Sequence, residues 1–229
     1  MREIVLDTET TGFEPNEGDR IVEIGAVELL NHLPTGRTYH QYINPQRSMP
    51  EGAFSVHGLS VEFLSDKPVF KDIAQELIDF IGNSKIVIHN AAFDMKFLNA
   101  ELGWASRQFL PKDQAIDTLA MARRKFPGSP ASLDALCRRF SVDNTSRTLH
   151  GALLDSEILA KVYLELVGGR QPDLVLSGPT AKKTADGTEP LGWRPTQRPT
   201  QLPSRLSVTE KAAHEKFIAA FEVDTLWPN

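Results

Sequence analysis

The sequence is short of several things, and each shortage excludes a class of protein. It holds one cysteine, Cys137, in 229 residues. That leaves no intramolecular disulfide framework and no cysteine-rich zinc site. No apolar run approaches the roughly 18 residues of a membrane span, so no membrane partner is expected. Before Asp7 the N-terminus offers only Ile4, Val5 and Leu6, too little for the apolar core of a signal peptide, and a cytoplasmic protein is the default expectation. Basic residues are also few: 25 Lys and Arg face 30 Asp and Glu, a formal net charge of −5. A basic footprint is the usual mark of nucleic-acid binding, so the balance at first argues against such a partner. What is present is 41% hydrophobic and 24% charged residues. That is the composition of a soluble globular chain, long enough for one well-buried domain with some chain left over.

The leftover chain shows itself near residue 168. From Gly168 to Ser207 prolines and glycines recur and hydrophobic periodicity is slight. Such a stretch cannot bury enough apolar surface to offset the entropy of ordering it, and reads as a flexible linker over residues 170–206. Ser207-Val208-Thr209-Glu210 then fits a capping box, and Ala213, Phe217, Ala220 and Phe221 recur at helical spacing. A lone short helix is marginal in water. This one, with Leu226 and Trp227 behind it, reads as a docking segment over residues 207–229; the alternative is a helix folded back on its own domain. Over residues 1–169 strand and helix patterns alternate. Ile4–Leu6, Ile21–Leu30, Thr38–Ile43, Lys85–Ile88 and Ile116 read as strands, the second and third joined by a turn near Pro34-Thr35-Gly36. Helical patterns follow at Ile73–Ile81, Ala91–Leu102, the stretch running to Phe126, Ser132–Phe140 and Gly151–Val167. The sum is an α/β fold, a mixed sheet flanked by helices.

Four carboxylates stand where folding alone would not place them. Asp7 and Glu9 follow the first apolar run two residues apart, on one face of a strand. Asp94 shares a helical stripe with Ala91, Leu98 and Leu102, and Asp155 shares one with Ile158, Leu159, Val162 and Leu166. A buried, unpaired carboxylate costs several kcal/mol or shifts its pKa. A solvated strand end for the first pair, and buried ion pairs with Arg or Lys for the other two, are the bland alternatives. Convergence of all four favours compensation by hard divalent cations such as Mg²⁺ or Mn²⁺. Without a Cys or His cluster, the pattern suits two metals about 3.5–4 Å apart that clamp an in-line phosphoryl displacement, which is nuclease chemistry. His150 lies five residues before Asp155, in the loop or cap ahead of the last helix, where an imidazole could take a proton from an attacking water. His89 reads as support for the site, and His57 sits at an ambiguous loop position. His32, His40 and His214 read as surface or structural.

Asp7-Thr8-Glu9-Thr10-Thr11-Gly12, His89-Asn90-Ala91-Ala92-Phe93-Asp94 and His150-Gly151-Ala152-Leu153-Leu154-Asp155 resemble the three motifs of the DnaQ-like, DEDDh-type 3′→5′ exonucleases. Ser132–Cys137 and the run from Arg147 to Gly169 resemble the branch formed by the ε, or proofreading, subunits of bacterial DNA polymerase III. The resemblance covers about residues 3–167. It implies a ribonuclease H-like fold and two Mg²⁺ or Mn²⁺ ions, with Asp7 bridging both, Glu9 and Asp155 completing one and Asp94 supporting the other. It implies His150 as general base and release of nucleoside 5′-monophosphates from a DNA 3′ end. Thr10, Thr11 and Gly12 would hold the terminal nucleotide, and Val56, His57, Asn90 and Phe93 would line its base and sugar. Gln171-Pro172-Asp173-Leu174-Val175-Leu176 resembles a sliding-clamp-binding peptide, anchored by Gln171, Leu174 and Leu176. Phe217, Phe221 and Trp227 would contact the polymerase α subunit, and a small accessory core subunit would complete the assembly.

Two other functions fit parts of this pattern. One is an RNA-trimming exonuclease of the same superfamily, which commonly lacks a long tail. The other is a scaffold that braces a polymerase with vestigial acids, against which every catalytic position is filled. The acidic balance also reads differently once a metal site is in view. Residues 1–167 carry a net −6; setting the four site acids aside leaves −2.

Overall fold

The apolar run Ile4–Leu6 lies at the centre of strand β1 (Arg2–Thr10) in a computed structural model that describes residues 1–145, 147, 149–169 and 207–219. Both faces of β1 are covered, which is why the run does not alternate with polar residues. Ile4 and Leu6 pack with helices α3 (Phe70–Ile81) and α4 (Ala91–Trp104), whereas Val5 packs with α7 (Ala152–Leu166). Strands β2 (Ile21–Leu30), β3 (Leu33–Tyr42), β4 (Lys85–Ile88) and β5 (Ala115–Asp117) complete a sheet in the order β3-β2-β1-β4-β5. The first three strands are antiparallel, and β4 and β5 run parallel to β1. Helices α5 (Thr118–Lys125) and α6 (Leu133–Phe140) join α7 in a second apolar layer around Leu136, Cys137, Ile158 and Val162. The mixed sheet flanked by helices is the expected one. Gly168 and Gly169, both at positive φ, end α7 as the sequence suggested.

The structure corrects two local expectations. The β2–β3 connection turns at Asn31 and His32, with φ of 51° and 66°, rather than at Pro34–Gly36. Two successive left-handed residues make the tight turn whose twist suits a hairpin. Thr35–Arg37 instead bulge out of β3, because Val27 pairs with Thr38 while Leu29 pairs with Pro34. The segment around His57 is not a loop either. Short helices α1 (Glu51–His57) and α2 (Val61–Leu64) occupy it, α1 stopped by left-handed Gly58, and His57 is buried at the end of α1.

Gly25 fixes how close α7 comes to the sheet. A Cβ there would lie 2.1–2.3 Å from backbone atoms of Ala152 and Leu153, and Ser156 Oγ donates to the Gly25 carbonyl at 2.9 Å. Gly25 pairs with Asp7 across the β1–β2 ladder, so this contact brings the first turn of α7 beside Asp7. Gly25→Ala is expected to destabilise the protein by about 3 kcal/mol, since backbone rather than a pliable side chain must move. Thermal melts measure it, and an unchanged melting temperature would show that α7 is not held by this contact.

The C-terminal helix α8 spans Val208–Ala219. Its capping box forms as expected: Ser207 Oγ accepts from Glu210 N at 3.2 Å and Glu210 Oε2 accepts from Ser207 N at 2.8 Å. Phe217 lies on α8, whereas Phe221, Trp227, Gln171, Leu174 and Leu176 fall outside the described residues. Among the described residues no helix is long and apolar enough to cross a membrane.

Candidate active site

The carboxyl end of β1 meets the N-terminal turns of α4 and α7. Asp94 and Asp155 are each the fourth residue of their helix, where the helix dipole is favourable to negative charge. Their stripes are buried as the spacing predicts, with Asp94 and Asp155 each 3% exposed among fully covered leucines and isoleucines. Thr8, between Asp7 and Glu9, points to the α4 side and gives both its N–H (3.1 Å) and its hydroxyl (2.8 Å) to Asp94 Oδ1. Carboxylate or imidazole ligand atoms of Glu9, Asp155 and His150 come within 4.8 Å of one another. His150 precedes the helix, with its N–H bonded to the Val56 carbonyl at 3.1 Å, and its ring is 3.4 Å from Asp155 Oδ2.

Crowding of the acids shows in their protonation. Burial pushes Asp7 well above the usual carboxylate range, and the charges of Asp94, Glu9 and Asp155 push further in the same direction. Glu9 rises to about 8, first through burial and then through the charges of Asp155, Glu23 and Asp94. Asp94 rises to about 7 by burial, against the pull of the hydrogen bonds from Thr8. Buried groups held this far from their ordinary values, and by one another, mark a functional site. Glu101 on α4 is the instructive contrast. It is equally buried, but Arg20 answers it with two hydrogen bonds of 2.8 and 2.7 Å, so it is a structural ion pair.

Beside the acids opens a cleft of about 470 Å³. Of the residues expected to bind a nucleotide, Thr10, Thr11, Gly12, Val56, His57 and Phe93 line it, and Asn90 does not. Asn90 is exposed at the left-handed cap of α4, where its N–H bonds to Asp117 Oδ1 at 3.1 Å. Thr11 Oγ1 donates to Asp19 at 3.1 Å, and the carboxylate of Asp19 fills the space a side chain on Gly12 would take. Burial holds His57 below its ordinary pKa, with the charge of His150 adding to the effect, so it is neutral at pH 7. His89 bonds Thr118 Oγ1 at 2.9 Å and does not line the cleft.

Sequence reasoning missed three contributors. Phe13 stands on the lip of the cleft, 82% exposed and edge-on to Phe93 at 6.4 Å; its place directly after Gly12 was the available signal. Glu23 faces Glu9 across the β1–β2 ladder and is bonded to His40 at 2.7 Å. Arg147 donates from Nε and Nη2 to the two oxygens of Asp155. That pairing is the ion-pair alternative weighed for Asp155 from sequence.

The model of the Exonuclease family matches residues 4–163, nearly the whole described body. The DNA polymerase III subunit epsilon of Rickettsia felis is 59% identical over 174 residues, which cover 75% of this chain and 76% of that protein. The proteins of the same name from Salmonella typhimurium and Escherichia coli are 46% and 45% identical over 228 residues, covering 93% of this chain and 90% of each. The chain belongs to the ε-subunit branch of the exonuclease family. It is a 3′→5′ DNA exonuclease of the proofreading kind, and membership in this family implies dependence on a divalent metal. Solved exonucleases share the fold. Exonuclease X in complex with 5′ overhanging duplex DNA is 26% identical with a TM-score of 0.58, covering 72% of this chain and 90% of that one. The nuclease domain of 3′hExo, a DEDDh family member bound to rAMP, is 20% identical with a TM-score of 0.62, covering 72% and 91%.

Proposed function

We propose that this exonuclease serves as the ε subunit of a cytoplasmic, replicative DNA polymerase III, removing mispaired nucleotides from the primer 3′ end as nucleoside 5′-monophosphates. The observation that carries the reading is the meeting of four carboxylates and His150 beside the cleft bounded by Thr10, Gly12 and Phe93. Asp7, Glu9, Asp94 and Asp155 would hold two divalent cations, Mg²⁺ or Mn²⁺. Their hard oxygen donors fit such ions, and so do the burial that raises Asp7, Glu9 and Asp94 and the mutual repulsion that raises Asp7 and Glu9 further. When bound, the cations would supply positive charge to the phosphate oxygens during displacement.

The chain's own residues would do the rest. His150, half-exposed at the mouth of the site, would take the proton of the attacking water. The backbone of Thr10, Thr11 and Gly12 would seat the terminal nucleotide, with Val56, His57 and Phe93 along its base and sugar. Phe93 offers a sequence-tolerant stacking surface, and Phe13 extends it. On 3′-mismatched primer–template DNA, His150→Ala is expected to lower kcat by about 10²–10⁴-fold, with Mn²⁺ affinity retained. Undiminished digestion would remove His150 from the chemistry.

Residues 1–169 would form the catalytic domain. The linker 170–206 would tether it and carry the clamp-binding peptide, and residues 207–229 would dock on the polymerase α subunit, alongside a small accessory core subunit. A partner polymerase could supply most of the phosphate-binding surface, which accommodates an acidic exonuclease. Recovery of the α subunit by the full chain, and not by a chain ending at residue 169, is the expected result; equal recovery would reject tail docking.

A further inference from the structure

Arg147 occupies an unusual position for an arginine. Its side chain is only 10% exposed, and it reaches Asp155, Asp134 and His150 together. Nε and Nη2 take the two oxygens of Asp155, the planar fork that suits a carboxylate. Nη1 donates to Asp134 Oδ1 at 2.9 Å, and Nη2 lies 2.8 Å from His150 Nδ1. The charge of Arg147 also opposes the upward push on Asp7 and Glu9. One side chain therefore pairs with Asp155 and sets positive charge against Asp7 and Glu9.

We propose that Arg147 is an internal counter-cation that holds the metal's place at Asp155 and gives up that carboxylate when a divalent cation binds. This rests on the reading of Asp155 as a metal ligand. A guanidinium and a divalent cation on the same carboxylate repel each other, and in a water-poor site that repulsion is weakly screened. Each must then weaken the other's hold, and by linkage the effect is reciprocal. Asp134, half-exposed on the first turn of α6, keeps hold of Nη1, so Arg147 can leave Asp155 without losing its last partner. Release also breaks the contact of Nη2 with His150 Nδ1. Arg147 is thus a positioning residue whose place depends on occupancy of the metal site.

The test uses the full chain and metal binding rather than catalysis. By calorimetry, Arg147→Gln is expected to bind Mn²⁺ about tenfold more tightly than wild type, and to melt at a lower temperature in EDTA. A purely structural role would loosen Mn²⁺ binding, so equal or weaker affinity overturns the proposal. If Arg147→Gln fails to fold, the wild-type protein still decides. The slowly exchanging Nε–H signal of Arg147, assigned with Arg147→Lys, is expected to shift or vanish on saturation with Mg²⁺; an unmoved signal overturns the proposal. Asp155→Asn separates this inference from the reading beneath it. If Asp155→Asn binds Mn²⁺ as wild type does, Asp155 is no ligand and both fail. If Asp155→Asn loses Mn²⁺ while Arg147 does not respond, only the inference fails.

Discussion

Asp7→Asn combined with Glu9→Gln is expected to cut Mg²⁺-dependent degradation of a DNA 3′ end by about a thousandfold or more, while raising the melting temperature of the metal-free protein. The first effect follows from the groups removed. Loss of one preorganised charge-stabilising group typically costs 10²–10³-fold, and this variant removes two of the four acids proposed to hold the cations. The second effect follows from what those acids do to one another. Both are buried, both are pushed upward by neighbouring carboxylates, and Glu9 also faces Glu23. Neutral isosteres keep the packing and remove the repulsion, and each kcal/mol so gained is worth about 2–4 °C in a chain of this size. The opposite signs matter, because a variant that merely damages the fold lowers activity and melting temperature together. Nuclease assays in Mg²⁺ and melts in EDTA, on one preparation, check both. A lower melting temperature would mean that the acids stabilise the fold and the site has been misread.

The stability of the metal-free protein is expected to fall by about 2 kcal/mol as pH rises from about 6.5 to about 8, and saturating Mg²⁺ is expected to abolish the fall. Glu9 titrates at about 8 in the folded protein against an ordinary value of 4.5, and Asp94 at about 7 against 3.8. Between the ordinary and the folded value the native state holds more protons than the unfolded one, so raising the pH favours unfolding. Below that window two histidines act in the other direction. Burial keeps His57 and His89 below 6.5, so they add stability as pH rises to that point and then stop. The surface acids whose values are lowered, such as Glu14 and Asp66, are ionised in both states throughout. Glu9 alone then accounts for about 2 kcal/mol over 1.5 pH units. Divalent cations would displace those protons, so Mg²⁺ binding near pH 7 should release them, as calorimetry in buffers of different ionisation enthalpy would detect. A metal-free stability that is flat or rising across the window would contradict the crowded, partly protonated site.

How much of this was legible beforehand depends on the range of the interaction. Period-2 and period-3.6 patterns are local, so β2, β4, α3, α4 and α7 could be placed from sequence, and so could the acids that interrupt their apolar stripes. Ser207 and Glu210 cap α8 within one turn and were equally readable. Turn chemistry was less decisive. Pro34-Thr35-Gly36 and Asn31-His32 both allow a reversal, and pairing along the whole of β2 selects the second. Gly25 reads only as a weak point in a strand until Ala152 and Leu153 are found against it, 127 residues or more further along the chain.

Asp94 and Glu101 mark the boundary between the two kinds of information. They stand seven residues apart on one helix, both acidic and both buried. The sequence by itself determines that each lies on the covered face of α4, because the helical repeat does so. It says nothing of what waits opposite, since contacts between distant segments leave no periodic trace. The tertiary structure sets Arg20 against Glu101, which becomes a structural ion pair. It sets Thr8 and Asp7 against Asp94, which is left beside another carboxylate instead of an arginine.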